Sequence, residues 1–299
     1  MNLSIEKLKA GDLVEILAPA KSIEKIHVET AVKTLEKMGL NVRVSKHCLG
    51  QFNYFSGTIS ERLSDFQNAI NDDEVKAIFC ARGGYGCIQL VDKLQWANML
   101  RHPKWIVGFS DVTVFHQKLG SMGLKSIHGT MPLNFALNSS QSLSTLNDAL
   151  TGKTYSIKAE PSKYNTFGSA SATLHGGNLS ILYSLLGTDD CVDYTDSILF
   201  IEDLSEQIYH LDRMFYALAK AGVLNRIKGL IVGGMTDMKD TAIPFGMSYE
   251  SVILSHFEYR KIPICFNFPA GHINDNRALI LGANVEFNVN TTGSELLFL

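Results

Sequence analysis

Apolar positions in the first half of the chain alternate between two rhythms. Residues 13–18 form a short apolar run that Pro19 ends, and residues 23–38 place Ile26, Ala31, Leu35 and Met38 at helical spacing, with Gly39 behind them as a C-cap. Residues 41–44 read as a strand, residues 60–70 as a helix with Leu63, Phe66 and Ile70 on one face, and residues 75–80 as a second buried run. A helix over about 87–94 and a strand at Trp105-Ile106-Val107 continue the alternation. Strand, helix, strand, helix predicts a parallel sheet with helices on both faces, whose ligand sites lie at the carboxyl ends of the strands.

The pattern changes over residues 136–170. Asn138-Ser139-Ser140-Gln141-Ser142, Thr151-Gly152-Lys153 and Pro161-Ser162-Lys163 are polar and loop-rich, which predicts a linker between a domain at 1–135 and a second at 171–299. The second half offers helices at 178–186, 208–222 and 248–257. Its strands fall at 197–202, 229–232, near Ile264, and at 285–289 and 295–298. No internal repeat or low-complexity tract interrupts it.

Composition narrows the class. At 299 residues, 45% hydrophobic and 19% charged, the chain has the make-up of an ordinary two-domain globular protein. A net charge of −3 without basic runs gives no reason to expect nucleic acid, and no apolar stretch has membrane-spanning length. Residues 1–7 lack a secretory signal pattern. Cys48, Cys80, Cys87, Cys191 and Cys265 are odd in number and scattered, which suits buried free thiols in the reducing cytoplasm better than a disulfide framework.

Two turns stand out. Arg82-Gly83-Gly84-Tyr85-Gly86 follows the strand at 75–80, and Gly108-Phe109-Ser110-Asp111 follows the strand at Trp105. Glycines at a strand end let backbone N–H groups approach a ligand. The cluster is not Gly-x-Gly-x-x-Gly and no Gly-Lys-Ser/Thr follows, so oxyanion donation or a plain tight turn fits better than phosphate binding. By position Ser110 reads first as a helix cap, a reading compatible with its being a nucleophile presented at a helix start.

A serine nucleophile needs a base. Of nine histidines, His128, His175 and His272 sit beside glycine in loop-like contexts, while His27, His116, His210 and His256 fall inside helical patterns. The three lack metal-ligand spacing and have no companion cysteine, so no metal is expected. Glu202 ends the apolar run Ile198-Leu199-Phe200-Ile201 and reads either as a site carboxylate or as a solvated strand end. Ser110, Glu202 and His272 give the order Ser, Glu, His, one of several in which triads occur.

Together these residues carry a resemblance. Ala18-Pro19, Ala81 to Gly86, Val107 to Thr113, His128-Gly129, Gly176-Gly177-Asn178-Leu179, Leu199 to Asp203 and Gly271-His272 occur in the order of the LD-carboxypeptidase family of serine peptidases, the muramoyl-tetrapeptide carboxypeptidases, and the chain resembles that family over nearly its whole length. The resemblance implies an α/β fold, a flavodoxin-like or glutaminase-like N-terminal domain carrying the serine and a smaller, swivelling C-terminal β/α domain carrying its partners. It implies a triad of Ser110, Glu202 and His272, and an oxyanion hole from the N–H groups of Asp111 and Gly84, with Gly83 and Tyr85 against substrate. It further implies release of terminal D-alanine from murein tetrapeptides without a cofactor, by a cytoplasmic homodimer. Rival readings are a microcin C self-immunity peptidase cleaving peptide- or aminoacyl-nucleotides, for whose added loop the chain leaves no obvious room, and a non-catalytic small-molecule binder. The latter predicts that Glu202 and His272 stay away from Ser110.

Overall fold

The structure, a computed structural model, describes residues 5–299; residues 1–4, the start of the segment read above for a signal pattern, lie outside the described residues. The chain runs β1 (Leu13–Leu17), α1 (Lys25–Lys37), β2 (Asn41–Val44), α2 (Ile59–Asn71), β3 (Val75–Cys80), α3 (Ala97–Arg101), β4 (Trp105–Gly108), α4 (Thr113–Ser121), β5 (Ser126–His128) and α5 (Ser140–Thr151). It continues with β6 (Ser156–Ala159), β7 (Gly168–Asn178), α6 (Leu179–Ser184), β8 (Ser197–Leu204), α7 (Ile208–Lys220), α8 (Val223–Arg226) and β9 (Gly229–Thr236). After α9 (Tyr249–Ser255) come β10 (Ile264–Cys265), β11 (Leu279–Leu281), β12 (Asn284–Asn290) and β13 (Gly293–Phe298).

Among the described residues the strands form two sheets, one ordered β11-β5-β4-β3-β1-β2 and the other β10-β9-β8-β7-β12-β13-β6. The first is parallel from β2 to β5, as the alternating pattern predicts, with β11 antiparallel at its edge. Its central strands β3 and β4 are almost wholly buried, as strands covered on both faces must be. The second sheet joins a parallel half, β7 to β10, to an antiparallel half of β12, β13 and β6. Because β11 pairs Leu279 with His128, the C-terminal part of the chain also closes the first sheet.

Several sequence expectations change. The helix expected over 60–70 starts earlier, at a capping box in which the Thr58 side chain accepts from Glu61 N–H while the Glu61 carboxylate accepts from Thr58 N–H. The stretch expected as a helix over 87–94 is a single 3₁₀ turn, Cys87–Gln89, followed by further turns, because Gly86 and Asp111 direct its backbone. Within residues 136–170 the short helix-like piece between the polar stretches is α5, and the edge strand β6, not expected from sequence, pairs with β13. The eleven-residue β7 went unread: Gly168-Ser169-Ala170-Ser171-Ala172 has little strand propensity of its own and is held by β12 on one side, while the end of the strand is held by β8 on the other.

The two sheets share one buried apolar core and also meet through α4. Gly177, at φ +141°, leaves no room for a Cβ, which would fall 2.6 Å from both Oγ1 and Cγ2 of Thr113 at the start of α4. The Asn178 N–H donates to Thr113 Oγ1 at 3.0 Å. One turn on, Gln117 accepts from the Tyr194 hydroxyl at 2.8 Å, and Lys118 pairs with Asp190 at 2.7 Å. We predict that Gly177→Ala, which adds both a clash and an unfavourable φ, lowers unfolding free energy by about 2–3 kcal/mol in denaturant titrations; unchanged stability would mean that the contact is not tight.

Candidate active site

The serine turn is built from the end of β4. After Gly108, Phe109 is extended and Ser110 adopts a left-handed φ of 64°, a conformation that costs a non-glycine residue about 1–3 kcal/mol and therefore has to be held by its surroundings. Gly83 provides the first support: a Cβ there would lie 2.9 Å from Ser110 Cβ and 3.1 Å from Oγ, so only glycine lets the two turns touch. Asp111 provides the second. Its buried carboxylate accepts from Cys87 N–H at 2.9 Å, which ties the serine turn to the glycine turn. Burial pushes the Asp111 carboxyl upward, and the Cys87 and Gly86 N–H donors and the Arg62 charge work against that rise.

Arg62 braces the glycine turn from behind. Reaching out of α2 and 2% exposed, it donates to the carbonyls of Gly57, Pro19 and Gly86 and to Gln89 Oε1. Sequence reading missed this residue. Its signal was a charge on the apolar stripe of a helix, beside Phe66, Ala69 and Ile70.

Glu202 and His272 come together from the second half of the chain. Glu202 lies near the carboxyl end of β8, fully buried, and its Oε2 receives both the His272 ring Nδ1 at 2.6 Å and the His272 backbone N–H at 3.2 Å. Gly271, at φ +109°, makes this possible, since a Cβ on it would fall 2.7 Å from Glu202 Cβ. Asn276 Oδ1 accepts from Gly271 N–H at 2.8 Å and the Thr236 hydroxyl donates to His272 O at 2.8 Å, so the turn is pinned on both sides. Neither Asn276 nor Thr236 was singled out from sequence, because both bind backbone atoms, which carry no side-chain signal.

The His272 ring packs edge-on against Phe109, centroids 4.9 Å apart, which sets it beside the residue preceding Ser110. Among the described residues no hydrogen bond joins Ser110 Oγ to His272. Such bonds are often long in unliganded sites and tighten around substrate. No acceptor for the N–H of Gly84 or of Asp111 is found among the described residues, leaving both donors free beside the serine. Tyr85 is half exposed at the mouth of the turn, its ring 6.2 Å from that of Phe55. Of the other glycine-flanked histidines, His128 lies fully buried behind the site, against Phe200 and the Phe109 ring that also meets His272, and burial pushes His175 down to about 4. Among the described residues no cluster of three metal-ligating side chains is formed.

Electrostatics sets the state of His272. Burial alone would favour the neutral ring, but the Glu202 charge, its hydrogen bond and the nearby Asp203 outweigh burial and raise the pKa above the ordinary 6.5. The imidazole held through Nδ1 keeps Nε2 free to take a proton once the ring is neutral.

Residues 14–129 match the family model of the LD-carboxypeptidase N-terminal domain and residues 171–287 that of the LD-carboxypeptidase C-terminal domain. A probable murein peptide carboxypeptidase of Bacillus subtilis is 32% identical over 96% of this chain and 92% of its own length. The crystal structure of a muramoyltetrapeptide carboxypeptidase from Oxalobacter formigenes superposes with a TM-score of 0.88 at 26% identity, covering 96% of this chain and 98% of that one. A microcin C7 self-immunity protein bound to adenosine monophosphate shares the fold, with a TM-score of 0.86 at 20% identity over 99% of this chain and 98% of that one.

The raised pKa has a sign that can be checked. The protonated pair stabilises the fold fully below pH 6.5, and that contribution is lost as pH rises through the higher folded-state pKa of His272. We predict that NMR titration of the His272 ring gives a midpoint above 6.5 in the wild type and below it in Glu202→Gln, where burial acts without the carboxylate. A wild-type midpoint below 6.5 would contradict the ion pair.

Proposed function

The chain belongs to the LD-carboxypeptidase family, and from this carboxypeptidase we propose that a Ser110–His272–Glu202 triad hydrolyses the L,D-peptide bond that releases terminal D-alanine from murein tetrapeptides. The observation that carries the reading is the 2.6 Å bond from the His272 ring to a fully buried Glu202, next to a serine held in a left-handed turn. In this reading His272 Nε2 takes the Ser110 proton while Glu202 fixes the tautomer and stabilises the imidazolium. Ser110 Oγ bonds to the carbonyl carbon, and the oxyanion is met by the free N–H groups of Asp111 and Gly84. The C–N bond then breaks, His272 passes its proton to the leaving amine, and a water deprotonated by His272 hydrolyses the acyl-enzyme.

The relatives' names, murein peptide and muramoyltetrapeptide carboxypeptidase, support this substrate class. The self-immunity protein shares the fold over nearly the whole chain, so fold does not separate the two activities and substrate must. The non-catalytic binder predicted that Glu202 and His272 would stay away from Ser110, whereas His272 packs on Phe109. The proposal extends to a cytoplasmic homodimer, as the family resemblance implies. The five free cysteines suit a reducing compartment, and among the described residues no helix is long and apolar enough to cross a membrane.

Incubating the purified protein with tetrapeptide and with an aspartyl-nucleotide conjugate, and assaying free D-alanine and free nucleotide, tests both activities. We expect D-alanine release by the wild type and a rate lower by about 10⁴-fold or more in Ser110→Ala, at unchanged melting temperature. Full release by Ser110→Ala would remove the serine mechanism, and turnover of the nucleotide conjugate alone would move the enzyme to the second activity.

A further inference from the structure

Next to the glycine turn, at Arg82, lies a cleft that the mechanism above does not use. Formed by the loops after β1, β2 and β3, it encloses about 450 Å³ and is lined by Lys21, Ser22, Glu24, His27, Gln51 and Arg82 among others. It adjoins the reacting centre through the glycine turn. Arg82 precedes Gly83, the residue that touches Ser110, and Lys21 Cβ lies 3.0 Å from where a Cβ on Gly84 would stand. The two cations therefore flank the two glycines that face the scissile bond.

Both cations lack a protein counter-ion. Among the described residues neither Lys21 nor Arg82 enters an ion pair; Lys21 Nζ stands 5.0 Å from the centroid of the Tyr54 ring instead. Arg82 commits one nitrogen, Nη1, to the Ser22 carbonyl at 3.2 Å, and its Nε is buried with no acceptor. In a guanidinium the Nε and Nη2 donors form one edge, and that edge grips a carboxylate with two parallel bonds. Glu24 is the one carboxylate among the lining residues, against Lys21 and Arg82. A small concave site with unpaired positive charge concentrates anions.

We infer that this cleft is a carboxylate subsite, in which Arg82 with Lys21 holds a carboxylate of the substrate one residue from the bond that Ser110 attacks. The inference rests on the carboxypeptidase reading of Ser110. Consecutive Cα atoms are about 3.8 Å apart, so a carboxylate on either neighbour of the scissile bond lies within reach of the turn. That carboxylate is either the free C-terminus of the leaving residue or one borne on the acyl side, as on a diamino-dicarboxylic acid.

Three substrates separate these sources: the tetrapeptide, its C-terminal amide, and the tetrapeptide with lysine in place of the diamino-dicarboxylic acid. In the wild type, kcat/KM should fall for whichever substrate lacks the recognised carboxylate. In Arg82→Gln that preference should shrink by about tenfold or more, mainly through KM, with partial recovery in Arg82→Lys and a smaller loss in Lys21→Met. Collapse of the acid-over-amide ratio assigns the cleft to the C-terminus, and collapse of the other ratio assigns it to the acyl side. Equal losses on all three substrates would mean that Arg82 only supports the Ser22 loop, and would overturn the inference.

Binding keeps the two proposals apart. Calorimetry of tetrapeptide with Ser110→Ala, alone and combined with Arg82→Gln or Lys21→Met, needs no turnover. Weaker binding by about tenfold in the double variants supports the subsite even if the wild type releases no D-alanine, an outcome that would sink the triad reading alone. Equal binding in folded double variants, checked by thermal melting, overturns the subsite whatever the turnover.

Discussion

The contact between the start of α4 and the end of β7 links the two halves of this site. Thr113 occupies the space that a side chain on Gly177 would need, and its hydroxyl accepts from Asn178 N–H. Asn178 is in turn the register partner of Glu202 on β8. One short chain of contacts thus runs from the helix that follows Ser110, across a glycine, to the carboxylate that holds His272. The two sheets also share one apolar core, in which Phe79, Val107 and Ile127 join Leu174, Phe200 and Phe287, so this polar contact fixes the alignment of surfaces that packing already holds together.

Buried charge is spent in the same region. Glu202, Asp203, Asp111 and Arg62 are all nearly inaccessible, a costly arrangement unless each is matched by donors or acceptors. Three find them in atoms of nearby turns: Asp111 in Cys87 N–H, Arg62 in three carbonyls, and Asp203 in Ser180, Asn178 and Leu204; Glu202 is held by His272 through Oε2 alone, its Oε1 buried without a partner. Burial pushes Asp203 up, and those donors offset part of the rise, although the neighbouring Glu202 adds to it. Losing the histidine would strand the Glu202 charge, and breaking a buried pair in this way costs on the order of 3–5 kcal/mol. The turns that carry the candidate chemistry are thus also the turns that the fold can least afford to loosen.

Local elements were legible where the code is local. The periodicity of α1 and of α7, and the apolar runs of β3, β4 and β8, point to the right element type because their neighbours in sequence carry the signal. The misses share one cause. β7 is made of small residues that only their strand partners organise, the stretch after Gly86 is bent by a carboxylate from another turn, and Arg62 has its partners in three separate loops. In each case the deciding atoms lie far away in the chain.

The same division holds for the site. Sequence by itself determined that a serine follows a buried strand at a glycine turn, that a glutamate closes another strand, and that a histidine follows a glycine, because strand ends and turns are written in neighbouring residues. It left open whether Ser110 was a cap and whether Glu202 was merely solvated. Tertiary structure decided that Glu202 is buried and bonded to His272, that His272 lies on Phe109, and that Gly83 rather than a side chain touches the serine. The physical reason is that Glu202–His272 and Gly83–Ser110 each join turns far apart in the chain, and His272–Phe109 forms only where the two halves meet, which no local pattern encodes.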